Sequence, residues 1–378
     1  MPKLLHTTLP LALAALLLCA SARAEPHVLK IGLSGPLSGP NAFAGKDNEN
    51  GVRLAIEELN TGKGQAVGGK TLRFELLSED DQGDPKAGVN VAQKFADAGV
   101  RFVLGPYNSG VAIPASRVYD DNGIVMSSVA TNPKLTQSGY RAVFRIVASD
   151  TQAGAAMASY AASKLKVKTV GVIDDRTAFG QGIATEFIRQ AKASGMTVAG
   201  HEFTTDKASD FSAILTALKA KKVDAIFFGG YAAQAAPLVR QMQQLGLNAK
   251  LLGGDTLCSP EMAKLGGDAV GANVLCAQGG TLLEKQAAGP AFQARYQQRF
   301  KHAPDVYAAA FYDQTMFIAQ AIGGVNSTDP SVVAVALHTL RHKGVAGTYA
   351  YDEAGNMKAS SVTIYTFKNG APVALASE

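Results

Sequence analysis

The chain has 378 residues, 47% of them hydrophobic, and its 36 Lys and Arg against 31 Asp and Glu give a net charge of +5. That composition suits a compact globular protein, and the absence of any Lys/Arg run interleaved with aromatics gives nucleic-acid binding no support. At about 350 mature residues the chain exceeds what one core usually supports, so two lobes are expected.

The first 24 residues read as an export leader. Lys3 supplies the basic start, Leu9 to Leu18 an apolar run too short to cross a bilayer, and Ala22-Arg23-Ala24 the small-x-small cleavage rule. Cys19 follows Leu18, where a lipoprotein leader carries a small residue, so a soluble exported protein cleaved after Ala24 is expected. Removing Lys3 and Arg23 lowers the basic count from 36 to 34 against 31 acids, a net of +3 that points to no polyanionic partner. The other two cysteines, Cys258 and Cys276, form an even pair in an exported chain with no third Cys or His at metal-ligand spacing, which favours a disulfide.

Along the mature chain, His27 to Leu33 alternates as a strand and breaks at Ser34-Gly35-Pro36. A helix follows, with Val52, Ala55, Ile56 and Leu59 on one face. Thr71 to Leu77 is the next strand, and it runs into the acidic stretch Glu79 to Asp84, read as a solvated turn. Pro85 to Ala98 has helical spacing. Phe102 to Leu104 is a buried strand stopped by Gly105-Pro106, Ser109 stands where a helix to about Asp121 begins, and Ile124 to Met126 is a strand with Ser127, Ser128 and Thr131 at its mouth. This alternation describes an open parallel α/β sheet. After Arg141 to Val147 the programme restarts. Strands at Lys168 to Ile173, Thr197 to His201, Asp224 to Phe228 and Lys250 to Leu252 alternate with helices, and Gly229-Gly230-Tyr231 echoes Gly105-Pro106-Tyr107. Helices at Gln286 to Phe300, Asp305 to Gly323 and Pro330 to His342, then strands near Gly347 to Tyr351 and Ser361 to Phe367, are expected to cross back, the helices to the first lobe and the strands to the second.

In a parallel sheet the loops bearing Ser109 and Thr131 share the carboxyl edge, beside a helix start with unpaired N–H groups; together they suit a small carboxylate. Asp255, after a strand and two glycines, reads as a turn or cap residue or as an acid that would meet an ammonium from the facing lobe; in the second reading the two sites would hold a zwitterion. Tyr231 reads as ligand contact or core lining, and Phe179 as pocket lid or helix staple. Catalytic patterns fail. Ser109 lacks the flanking glycines of a nucleophile elbow, Gly180-Gln181-Gly182 lacks the third glycine of a dinucleotide loop, and His338 and His342, four apart on the expected last helix, lack a third metal ligand. No cofactor and no metal is expected.

Read in order, KIGLSGPLSG at Lys30 to Gly39, GVRLAIEELN at Gly51 to Asn60, DDQGDPKAGV at Asp80 to Val89, FVLGPYNSG, SVATNP, DDRTAFGQG, FFGGY and YDEAGNMK resemble the periplasmic solute-binding proteins of branched-chain amino-acid ABC transporters, the leucine/isoleucine/valine-binding type. The resemblance covers nearly the whole mature chain. It implies a type I periplasmic binding fold, two Rossmann-like lobes joined by three crossings, with residues 25–148 and 279–349 in one lobe and 149–278 and 350–378 in the other. It also implies a ligand carboxylate held by Ser109 and Thr131, an ammonium held by the Val129 carbonyl and Asp255, and Tyr231 closing over them. Asn108, Phe179, Tyr307 and Ala44 complete the expected ligand-binding set. The sequence departs from the leucine-type binders at Ala44 and Phe179, where they carry Tyr, and at Asp255, where they carry Glu; Ala44 should enlarge the side-chain pocket. Their disulfide positions match Gly83 and Asn108, so Cys258 and Cys276 would form a different bridge. The function expected is capture of a branched-chain, apolar or aromatic amino acid by a monomer that serves an inner-membrane permease. A sensor for a signalling partner, a binder of organic acids and, last, an exported hydrolase using Ser109 are the alternatives.

Overall fold

The computed structural model describes residues 27–62, 64–280 and 282–377; the export leader and its Cys19 lie outside them. The first run of elements is β1 (His27–Gly35), α1 (Ala42–Leu59), β2 (Gln65–Val67), β3 (Lys70–Asp80), α2 (Pro85–Asp97), β4 (Phe102–Leu104), α3 (Ser109–Asp121), β5 (Val125–Ser128), α4 (Lys134–Gln137) and β6 (Val143–Arg145). The second is α5 (Asp150–Ser163), β7 (Thr169–Asp174), α6 (Ala178–Ala193), β8 (Thr197–Phe203), α7 (Ser212–Ala220), β9 (Ala225–Gly229), α8 (Ala232–Gln244), β10 (Lys250–Gly253), α9 (Pro260–Gly266) and β11 (Val274–Gly279). The chain ends with α10 (Gly289–Phe300), α11 (Ala308–Val325), α12 (Pro330–Thr339), β12 (His342–Lys343), β13 (Thr348–Tyr349), β14 (Val362–Lys368) and β15 (Ala371–Ser377).

Two large sheets form, in the orders β2-β3-β1-β4-β5-β6 and β15-β14-β11-β10-β9-β7-β8, beside a two-stranded β12-β13 ladder. Their centres are parallel, because helical crossovers return each strand in the same direction. The edges correct the all-parallel expectation. β2 pairs antiparallel with β3, β14 with β11 and β15 with β14, since each joins its neighbour by a short turn or arrives from the far lobe. Central strands such as β4, β5 and β9 are buried along their whole length, which is why they read as continuous apolar runs.

The C-terminal helices and β14 cross back as expected, but the strand near Gly347 to Tyr351 does not join the second sheet, since Thr348–Tyr349 pairs with His342–Lys343. α11 packs along α1 on the first sheet, while β14 joins the second. α11 is buried almost all round, polar positions included: Asp313 accepts the Val345 and Ala346 N–H groups at 2.6 and 2.8 Å, and Gln314 links Ser127 of β5 to the Tyr351 hydroxyl at 2.8 and 2.6 Å. α12 stops at Thr339, short of the expected His342. His342 pairs in β12 with Tyr349 instead, so His338 and His342 share no helix face. The acidic stretch is also not a solvated turn. Asp80 accepts from Leu37, Ser38 and Gln82, the fully buried Asp81 accepts from Ser34 at 2.8 Å, and Asp84 caps α2 through Ala87 N–H at 2.8 Å. Among the described residues no helix is long and apolar enough to cross a membrane.

Candidate functional site

Each sheet reverses its strand order once, between β1 and β4 in the first and between β7 and β9 in the second. Loops leaving the carboxyl ends of strands beside such a reversal diverge and leave a crevice. The loops after β4 and β5 face those after β7, β9 and β10, and between them lies a small cavity lined by Tyr107, Ser109, Val129, Thr131, Phe179, Tyr231, Asp255 and Thr256. Of the nine expected ligand-binding residues, six therefore meet at one place; Tyr307 reaches it by a hydrogen bond, and Asn108 stands next to Ser109. Ala44 lies in a neighbouring cavity.

On the first sheet, Gly105 turns the chain at φ +96°, with the position of its missing Cβ 2.0 Å from the Ser34 carbonyl. A side chain has no room there, and the turn swings Tyr107 and Asn108 toward the cleft. Asn108, not Ser109, occupies the cap position of α3, and its side chain caps nothing. Its Oδ1 is buried without a partner. Ser109 opens the helix and accepts the Asn132 N–H at 3.3 Å. The loop carrying Val129 and Thr131 is held from behind: Ser128 Oγ donates to the Pro106 carbonyl at 2.6 Å, and Arg145 Nη1 donates to the carbonyls of Ala130 and Asn132, both at 2.9 Å. Arg145 is 1% exposed; burial pulls its guanidinium down to about 10, opposed by the Asp150 charge. The Thr131 hydroxyl approaches the Asp150 carboxyl but closes no well-aligned hydrogen bond. Both Asp150 oxygens are buried without partners, and burial pushes that acid up to about 8.

On the second sheet, Asp255 follows β10 in a short 3-10 turn. Thr256 Oγ1 donates to the Gly230 carbonyl at 2.6 Å, and Cys258 N–H donates to the Asp255 carbonyl at 2.9 Å. Cys258 is bonded to Cys276 of β11, which anchors this turn to the sheet. Asp255 Oδ2 accepts the Tyr307 hydroxyl from the start of α11, a bond between the lobes; Oδ1 is buried without a partner. Burial pushes Asp255 up to about 6, with the Tyr307 bond working against it. Phe179, on the first turn of α6, packs on Tyr231 at 5.3 Å between centroids, and Tyr231 meets Tyr107 at 6.2 Å. Asn132 Nδ2 also crosses between the lobes, donating to the Ala178 carbonyl at 2.6 Å.

Sequence reasoning passed over Tyr107, Thr256 and Asp150. The signal for Tyr107 lay in the echo between Gly105-Pro106-Tyr107 and Gly229-Gly230-Tyr231, since equivalent strand exits in facing lobes bring their tyrosines together. Asp150 gave none, because its partner loop lies 19 residues earlier in the chain.

The profile of a protein family described as "Periplasmic binding protein" matches residues 28–372. The chain is 36% identical over 346 residues to Leu/Ile/Val-binding protein homolog 1 of Brucella abortus (strain 2308), covering 90% of this chain and 91% of that one. It resembles the crystal structure of a leucine binding protein, LivK, from Thermotoga maritima MSB8, with a TM-score of 0.85, 28% identity and coverage of 92% and 98%. The branched-chain amino acid transporter substrate binding protein LivJ from Streptococcus pneumoniae, in complex with isoleucine, matches with a TM-score of 0.83, 25% identity and coverage of 93% and 99%.

Proposed function

The chain belongs to the periplasmic binding protein family, and from that premise we propose that it captures a free amino acid between its lobes and delivers it to the inner-membrane permease of an ABC transporter. The relatives named above, binders of leucine, isoleucine and valine, support a branched-chain, apolar or aromatic ligand class. One observation carries the reading: the Ser109 hydroxyl at the start of α3 and the Thr131 hydroxyl of the next loop face, across an aromatic wall, a buried carboxylate with an unpaired oxygen on the other lobe. Those are the complements of the two ends of a zwitterion. Ser109, Thr131 and the first N–H groups of α3 take the carboxylate; the Val129 carbonyl and Asp255 take the ammonium. Tyr231 and Phe179 cover the ligand from the second lobe, and Asn108, Tyr307 and Ala44 complete its surroundings.

The lobes, residues 25–148 with 279–349 and 149–278 with 350–378, turn about the three crossings, so that contacts such as Tyr307 to Asp255 form on closure. The protein acts as a monomer in the periplasm after cleavage at Ala24, and it performs no chemistry. Ser109 Oγ accepts a main-chain N–H, and the residues lining the cavity include no His or Lys to activate it. A thermal-shift screen over the amino acids and their deaminated analogues tests this. A true ligand at a thousandfold excess over Kd stabilises by about 4 kcal/mol; stabilisation by organic acids alone would remove the amino-acid reading.

A further inference from the structure

A second, small pocket adjoins the first, and Tyr107 and Thr256 line both. It is bounded by Phe43, Ala44, Asp47, Asn48, Asp305 and Tyr307 among others, at the start of α1. Its polar content is unlike that of an aliphatic slot. Asn48 is 3% exposed, lines this cavity, and its side-chain N–H₂ has no hydrogen-bond partner. A buried donor left unpaired is costly, and a ligand acceptor is one way to repay it.

Two acids stand on the same wall. Asp47 accepts the Tyr296 hydroxyl at 2.6 Å and the Asp305 N–H at 3.1 Å; Asp305 accepts the Ser259 hydroxyl at 2.6 Å and the Val306 N–H at 2.8 Å. Each oxygen so engaged keeps a further lone pair for a donor. No Lys or Arg lines this cavity, so an acidic side chain would find no counter-charge there. An aliphatic side chain would seal the Asn48 donor away from every acceptor. A carboxamide or hydroxyl satisfies both requirements: its oxygen accepts from Asn48, and its own hydrogen is donated to the acids.

We infer that this chamber receives the side chain of the bound amino acid, and that Asn48 selects a neutral hydrogen-bonding side chain, carboxamide or hydroxyl, over an aliphatic one of the same shape. The inference rests on the amino-acid reading above and departs from the purely apolar ligand class. Calorimetry with two shape-matched pairs, asparagine against leucine and threonine against valine, tests it on the mature protein and on Asn48→Leu and Asn48→Ala. The polar member of at least one pair should bind the native protein about tenfold tighter or more, and the Asn48 variants should lose or invert that preference. Tighter binding of leucine and valine in both native titrations overturns the inference while leaving the amino-acid reading intact, and this arm needs no variant to fold. An unchanged preference in folded Asn48 variants overturns the role of Asn48. Binding of none of the four by a protein that still binds an aromatic amino acid overturns this inference alone, and binding of no amino acid removes both readings together.

Discussion

Replacing Asp255 by Asn keeps the size of the side chain and an acceptor for the Tyr307 hydroxyl but removes the charge offered to the ligand ammonium. Asp255 is 4% exposed and its Oδ1 has no partner in the chain, so a bound ammonium would be its one close counter-charge. Stranding that ammonium in a desolvated cleft costs about 2 to 5 kcal/mol, or roughly thirtyfold to several thousandfold in Kd. The pH dependence carries a second signature. Burial lifts this acid to about 6, so it is ionised at pH 7.5 and increasingly protonated below 6. Native affinity for an amino acid should be flat above pH 7 and weaken toward about tenfold per pH unit below 6, a break that Asp255→Asn lacks. The same shift has the opposite sign for the free protein: an acid raised above its unfolded pKa binds more protons when folded, so its contribution to stability grows as pH falls through 6. Titration calorimetry from pH 5 to 8, with the amino acid and its 2-oxo analogue, reads both signatures. The reasoning fails if the deaminated acid binds the native protein as tightly as the amino acid, or if Asp255→Asn loses less than about threefold.

Removing the Cys258–Cys276 bridge by paired Ser substitutions should destabilise the protein by about 2 to 4 kcal/mol in chemical denaturation while ligand binding persists; alkylation of two thiols in the native protein would contradict the bridge itself. Arg145→Met leaves the Ala130 carbonyl buried and unpaired, while the Asn132 carbonyl keeps the Leu135 N–H, so about 1 to 3 kcal/mol of stability should be lost for the orphaned group, and amino-acid affinity should fall with it; unchanged affinity in a folded variant would show that the Thr131 loop holds itself. Gly105→Ala forces a Cβ against the Ser34 carbonyl at a positive φ and should cost about 1 to 3 kcal/mol or more, read as a lower Tm. Asp47 and Asp150 are both raised to about 8, chiefly by burial, so between pH 8.5 and 6.5 the folded protein takes up protons that the unfolded chain does not. Its Tm without ligand should therefore rise over that interval as pH is lowered, and a flat or falling Tm would refute the burial of these acids.

Local chemistry makes much of this protein legible in its sequence. Phe102 to Leu104 and Ser109 to Asp121 are elements whose ends are set by glycine, proline and hydrophobic period, and they lie where those signals put them. The Ser109 and Thr131 loops share a sheet edge because parallel strands leave no other place for them. Elements without a local signature were missed. α5 is rich in Ala, Ser and Thr and packs against α6 and β11, so it shows little amphipathic contrast, and β15 exists only because β14 offers it an edge. α12 overran its true end for a similar reason, since Leu340 leaves the helix and His342 is recruited by Tyr349 to a two-stranded ladder. The site depends still more on tertiary structure. A turn residue and a ligand-binding acid look alike at Asp255 until Tyr307, 52 residues later, crosses between the lobes to meet it. Whether Asn48 is a solvated helix residue or an unpaired donor in a closed chamber depends on α11 and the Thr256 turn coming to rest over it, because burial and partnership belong to the packed lobes and not to any one segment of chain.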